Sequence, residues 1–265
     1  MKSVPNIFTL LNLFFGCLAI TAILQNGMVS VSNSEGDLLL MLPEKIYLAS
    51  VFIGLAALID FFDGLVARLC HVTSELGKQL DSLADVVSFG VAPGMIIYQF
   101  LRLGFAQQLN GLDTSILWLM PSFILPCAGA YRLARFNVDT MQAFGFKGVP
   151  IPAAGLLVAS FPLLYWYSNT PWILSILLST WFWYALILVV SYLMVSPLPM
   201  MALKFKDPGI KSNLPKLILL VIAIISALLF KWMAVPVVFI TYVVVSLLTQ
   251  PKQNVIPEQP AEFRV

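Results

Sequence analysis

Residues 60–85 read DFFDGLVARLCHVTSELGKQLDSLAD. Four aspartates, Asp60, Asp63, Asp81 and Asp85, lie in or beside segments apolar enough to cross a bilayer. A carboxylate at bilayer depth costs about 2.5–3.5 kcal/mol on insertion scales, so four together require compensation. On a helical wheel, Asp63 lies about −60° from Asp60, with Gly64 at about +40° and Ala67 at about −20°. Relative to Asp81, Asp85 lies at about +40°, Ser88 at about −20° and Gly77 at about −40°. Each helix therefore carries two carboxylates and small neighbours on one face. A short connection makes the two helices antiparallel, so the four carboxylates are expected to converge at one end of the pair.

A cluster of hard oxygen ligands suits magnesium, manganese or calcium. Four carboxylates suffice for two ions about 3.5–4 Å apart, the arrangement that clamps attacking and leaving oxygens in phosphoryl transfer. Gly64 and Ala67 leave room for a ligand against the backbone, and Arg68 is placed to meet a phosphate. The plainer alternatives are solvated helix-end carboxylates and an arginine that anchors the chain at the membrane surface.

The rest of the chain is that of an integral membrane protein. Of 265 residues, 60% are hydrophobic and 11% charged, against about 25% charged in soluble domains. A net charge of +2 offers no broad basic surface for nucleic acid. Apolar runs over about 7–25, 46–68, 81–103, 115–136, 151–168, 173–195, 215–231 and 234–250 predict eight spans. The fifth is expected to be interrupted by Pro162, and the last two to turn around Lys231 and Trp232. The expected fold is all-α, a transmembrane helix bundle forming one domain over 1–250. Residues 251–265 form a polar, flexible tail. The first run reads as a retained helix rather than a leader, because Pro5, Asn6, Thr9 and Asn12 break its apolar core.

Orientation follows the basic residues. Lys2, Arg68, Lys78, Arg132, Arg135, Lys147, Lys204, Lys206, Lys211, Lys216, Lys252 and Arg264 fall on one side of the predicted topology. Only Lys45, Arg102 and Lys231 fall elsewhere. Both termini and the aspartate cluster are thereby expected to face the cytoplasm, at a bacterial inner membrane. Cys17, Cys70 and Cys127 show neither disulfide nor metal-ligand spacing and read as buried small hydrophobes. His71 reads as a polar residue at the membrane edge.

The pattern Asp60-x2-Asp63-Gly64-x2-Ala67-Arg68-x8-Gly77-x3-Asp81-x3-Asp85 resembles the signature of the CDP-alcohol phosphatidyltransferases at every position and gap. The resemblance implies displacement of CMP from a CDP-activated lipid by an alcohol. It implies that Asp60, Asp63 and Asp81 hold Mg2+ or Mn2+, as two ions, with Asp85 the general base and also within reach of metal. Gly64, Ala67 and Arg68 would line the nucleotide site, joined from the first helix by Asn6 and Thr9. Asn6 reads equally well as a helix N-cap. A homodimer is the assembly that the resemblance implies.

Three further stretches resemble the membrane-embedded phosphatidylserine synthases within that family. They are GAYRLARFN at 129–137, FKGVPIPAAG at 146–155 and LADVVSFGVAP at 83–93. The implied substrates are CDP-diacylglycerol and L-serine. Serine carries both signs of charge, and Arg132, Arg135, Asn137, Lys147 and Ser88 are the candidates for holding it or the lipid phosphate. Interfacial snorkelling is the structural alternative for the arginines. A phosphorylated acceptor, as in phosphatidylglycerophosphate synthases, would use the same basic cluster. Intramembrane carboxylates also mark cation-coupled transporters, but no internal repeat accompanies these. The last three spans carry no recognisable motif.

Overall fold

The computed structural model describes residues 4–32, 38–69, 74–108, 111–138, 146–168, 170–201 and 210–249. The side chains of a few of these, Ala67 and Arg68 included, lie outside the described set, as do Cys70, His71 and the tail from Pro251. The apolar runs form helices because a helix satisfies every backbone polar group within the segment. Helix α1 (Val4–Gln25) leads into a hairpin of β1 (Val29–Ser32) and β2 (Leu38–Met41), with Val29 opposite Met41. Then come α2 (Tyr47–Leu69), α3 (Glu75–Asp85), a π-helical segment (Val86–Val91) and α4 (Ala92–Ala106). Three 3₁₀ turns precede α5 (Ile124–Val138), and β3 (Phe146–Lys147) precedes α6 (Ile151–Tyr167). Helices α7 (Pro171–Leu178) and α8 (Thr180–Val195), strand β4 (Pro199–Met200), α9 (Ile210–Phe230) and α10 (Ala234–Leu248) complete the order. Strand β3 pairs antiparallel with β4.

Five helical runs among the described residues are long and apolar enough to cross a membrane, or six if α7 and α8 count as one. The protein is therefore an integral membrane protein, mostly helical. By this measure the eight expected spans are five or six. One difference is that α6 has only 17 residues. Another is that α7 and α8 meet at 74°. The third is that Asn213–Leu248 passes as one run. That run is not straight: a 3₁₀ turn at Lys231–Met233, with Lys231 at φ 49°, lets α9 and α10 pack against each other.

Other boundaries move for identifiable reasons. The third span begins at Glu75 rather than near Asp81, because Ser74 caps it by accepting from Gly77 N at 2.9 Å. Pro162 sits inside an unbroken α6; neighbouring helices make such prolines tolerable in a membrane. The sixth span breaks at the extended residue Ser179. Its freed carbonyls are satisfied locally: Trp183 Nε1 donates to Leu177 O at 2.8 Å, and Ser179 N to Ile176 O at 3.0 Å. Gly104 makes room for this break, since a Cβ there would meet Leu178 O at 2.7 Å. Cys17 and Cys127 are exposed on the bundle's surface, not buried as expected.

Contacts sort the helix ends into two groups. At one end, Tyr167 Oη donates to Glu44 at 3.2 Å, and the Tyr167 ring lies 6.4 Å from Tyr47 and 6.5 Å from Trp232. At the other, the start of α1 meets the end of α2 and α3, the end of α5 meets α3 and α8, and β3–β4 meets α10. Between them, Trp183 stacks on Phe100 at 4.8 Å and meets Phe161 and Phe182 edge-on. Close backbone approach elsewhere depends on small residues, as is usual where no hydrophobic drive separates helix from lipid. A Cβ on Gly155 would lie 2.8 Å from Phe89 Cα, whereas one on Gly54 would meet nothing within 4 Å. Gly155→Ala is therefore expected to cost about 1–3 kcal/mol. Gly54→Ala should be neutral or stabilising by up to about 1 kcal/mol; thermal unfolding in detergent compares the two.

Candidate active site

Helix α3 is polar yet helical, because its cap and its amphipathic pattern suffice without a long apolar run. It lays Asp81 and Asp85 against Asp60 of α2. One carboxylate oxygen from each of these three residues lies within 4.8 Å of the other two. Asp85 is 7% exposed, and Asp60 and Asp81 are half-buried. Asp63, the fourth expected member, stands beside this group rather than in it. Its Oδ2 accepts from Thr9 Oγ1 at 2.6 Å, while its buried Oδ1 has no hydrogen-bond partner.

Helix α1 forms the wall behind the cluster. Asn6 Oδ1 lies where a Cβ on Gly77 would come within 3.2 Å of it. Asn6 is inside the first turn of α1 and not at its cap position. Asn12, fully buried, donates from Nδ2 to Asp85 Oδ1 at 3.1 Å. Its main-chain carbonyl accepts from Ser88 Oγ at 3.0 Å. Ser88 thus points to α1, where Gly16 leaves space for it. Gly64 is exposed, and a Cβ there would meet nothing within 4 Å, consistent with open space on the ligand side of α2. Ala67 and Arg68 fall in the last turn of α2, with side chains outside the described set.

The basic candidates separate. Arg132 is buried at 8% exposure, within electrostatic reach of Asp85 and Tyr242, and its Nε has no hydrogen-bond partner. Arg135 is exposed and donates to Val195 O at 3.2 Å, tying down the C-terminus of α8. Asn137 donates to Ser82 Oγ at 2.8 Å, and its carbonyl accepts from Lys78 Nζ at 3.1 Å, joining the ends of α5 and α3. Lys147 is exposed in β3, opposite Pro199. Gly148 follows at φ 72°, and a Cβ there would run into the Met194 carbonyl.

Two residues escape a sequence reading. Asn12 carries a usable signal, since it continues the polar spacing of Asn6 and Thr9 along an apolar helix. Tyr242 carries none: it is one aromatic in an apolar run, and only the fold brings it toward Arg132 while its hydroxyl donates to Met201 O at 3.2 Å. The donor set fits a hard divalent cation. Three converging carboxylates and the orphaned Asp63 Oδ1 present anionic oxygen only, in a setting where unpaired negative charge is costly.

Residues 2–181 match the CDP-alcohol phosphatidyltransferase family, and the chain belongs to that family. It is 36% identical over 162 residues to a CDP-diacylglycerol–serine O-phosphatidyltransferase of Helicobacter pylori, covering 60% of this chain and 57% of that protein. A Bacillus subtilis protein of the same name is 34% identical over 165 residues, 61% of this chain and 77% of the relative. An archaetidylserine synthase of Methanothermobacter thermautotrophicus is 34% identical over 145 residues, 54% of this chain and 58% of the relative. The match thus spans little more than half the length of the first and third of these relatives.

If the carboxylates act together on a cation, Asp60→Asn and Asp81→Asn should each weaken Mn2+ binding by at least about tenfold, a loss of roughly 1.4 kcal/mol. Electron paramagnetic resonance titration of purified protein measures this. Arg135→Ala, which removes only the tie to α8, should leave the Mn2+ affinity unchanged.

Proposed function

We propose that this chain transfers the phosphatidyl group of CDP-diacylglycerol to L-serine, yielding phosphatidylserine and CMP. The observation that carries the reading is the meeting of Asp60, Asp81 and Asp85, with Asp63 beside them, inside the family signature. The names borne by the relatives favour serine as acceptor. The basic residues favour it as well. Arg135 and Lys78 are engaged with helix-end carbonyls, while among the described residues the buried Arg132 lies within electrostatic reach of Asp85. One guanidinium suits one carboxylate, whereas a phosphorylated alcohol calls for more positive charge.

In this reading Asp60, Asp63, Asp81 and Asp85 hold Mg2+ or Mn2+, as two ions. Bound there, the metal would supply positive charge at the pyrophosphate and stabilise the departing CMP. Asn6, Thr9, Gly64, Ala67 and Arg68 line the nucleotide side. Gly64 adds no side chain to the open face of α2, so a flat base can approach the backbone. Arg132 binds the serine carboxylate and orients the hydroxyl. Asp85 accepts the hydroxyl proton as the serine oxygen forms its bond to the phosphorus that carries diacylglycerol. The bond from that phosphorus to the bridging oxygen breaks, and its electron pair leaves with CMP.

We further propose that the chain crosses the membrane eight times, with α3–α4 and α7–α8 each forming one span, residues 1–250 as one domain and both termini cytoplasmic. The two groups of helix ends support this alternation, as do Lys78, Arg132 and Arg135 at the cluster's end. The acyl chains would stay in lipid while the head group meets the cluster at the cytoplasmic edge of a bacterial inner membrane. The working unit is taken to be a homodimer, as the family resemblance implies.

Purified protein given CDP-diacylglycerol and Mn2+ should release CMP with serine and not with glycerol 3-phosphate or inositol; a chelator should stop it. Release independent of serine would overturn the acceptor assignment. Asp85→Asn should lower turnover by about 10²–10⁴-fold.

A further inference from the structure

The spaced signature covers residues 60–85, yet Asp85 is hydrogen-bonded to α1, outside that stretch. Asp85 is tied through Oδ1 to Asn12 Nδ2 at 3.1 Å, and Asn12 is 0% exposed. A carboxylate only accepts, so the amide must present its nitrogen to Asp85. The opposite atom, Asn12 Oδ1, is buried without a hydrogen-bond partner. An unsatisfied buried amide oxygen is costly and invites an explanation in function. Asn12 is held from its other side as well. Its carbonyl accepts from Ser88 Oγ at 3.0 Å, one turn beyond Asp85, and Gly16 lets that contact close. These ties fall where α3 passes into the π-helical segment Val86–Val91, an irregularity frequent at functional sites. Asn12 thus cannot turn to satisfy its oxygen without releasing Asp85.

We infer that Asn12 is a positioning residue for Asp85: it holds Oδ1 and so commits Oδ2 to face Asp60, Asp81 and the reacting hydroxyl. The inference rests on the transferase reading above and adds to it a residue that the signature does not contain. Oδ2 then receives the proton as the new oxygen–phosphorus bond forms and the bond to CMP breaks. Without the amide, the Asp85 side chain is free to rotate about its two torsions, and the oxygen is no longer presented to the cluster. A displacement of about 1 Å in a reacting group costs on the order of a hundredfold in rate.

Three proteins test this: the parent, Asn12→Leu and Asn12→Ser. Leucine has a similar shape and no donor; serine is smaller and keeps one. In Asn12→Leu, kcat for CMP release is expected to fall about a hundredfold, with KM for CDP-diacylglycerol within threefold of the parent. Asn12→Ser should recover at least tenfold of that loss, although it leaves the larger packing defect. Mn2+ affinity, read by paramagnetic resonance without substrate, should weaken in Asn12→Leu and return toward the parent value in Asn12→Ser. Parental turnover and Mn2+ affinity in Asn12→Leu would overturn the inference and leave the transferase reading intact. So would a serine variant no better than leucine, with kcat, KM and thermal stability all changed together, the mark of a packing role. A parent that neither releases CMP nor binds Mn2+ would overturn the transferase reading, and the inference with it.

Discussion

Repulsion among the carboxylates of Asp60, Asp81 and Asp85, gathered within 4.8 Å in a membrane-embedded bundle, is the constraint around which the rest is arranged. Like charges so close in a low dielectric oppose folding unless something offsets them. Part of the offset is built in. Thr9 and Asn12 donate to Asp63 and Asp85 from α1, and Arg132 approaches from α5. What remains is the kind of site that a hard cation would fit, because its donors are all oxygen.

Holding that cluster together takes helices that approach closely. Gly16 against Ser88 brings α1 to the π-helical segment, and Gly155 against the Phe89 backbone brings α6 to the same place from the other side. The aromatic group around Trp183 fixes the middle of the bundle. Arg135 and Lys78 close helix ends at the cluster's side. Several residues that look chemical by type therefore act as fasteners. An arginine near a helix C-terminus has unsatisfied carbonyls within reach, and the site receives it only if none of them takes it first.

The clustering of acids on one helix pair also separates this chain from a transporter. A transport path calls for ionisable groups at mid-membrane and related halves. Among the described residues the broken span, α7–α8, repairs its hydrogen bonds through Trp183 and carries no carboxylate to the break. Family membership points the same way.

The spacing of Asp60, Asp63, Asp81 and Asp85 with Gly64, Ala67, Arg68 and Gly77 was sufficient, on its own, to point to the family and to bring Asp60, Asp81 and Asp85 together. Such carboxylates sit on two sequence-adjacent helices, where a local period of 3.6 residues decides which side chains share a face. Membrane character was legible for a similar reason, since hydropathy is a sum over neighbours. What neither period nor sum reaches is contact between distant segments. Only the folded chain sets Asp63 beside the other three, hands Arg135 to Val195 and Asn137 to Ser82, bends the sixth span at Ser179, and brings Asn12 to Asp85 and Tyr242 toward Arg132. These choices rest on helix-to-helix packing, where single glycines and competing hydrogen-bond acceptors decide which partner each polar group finds.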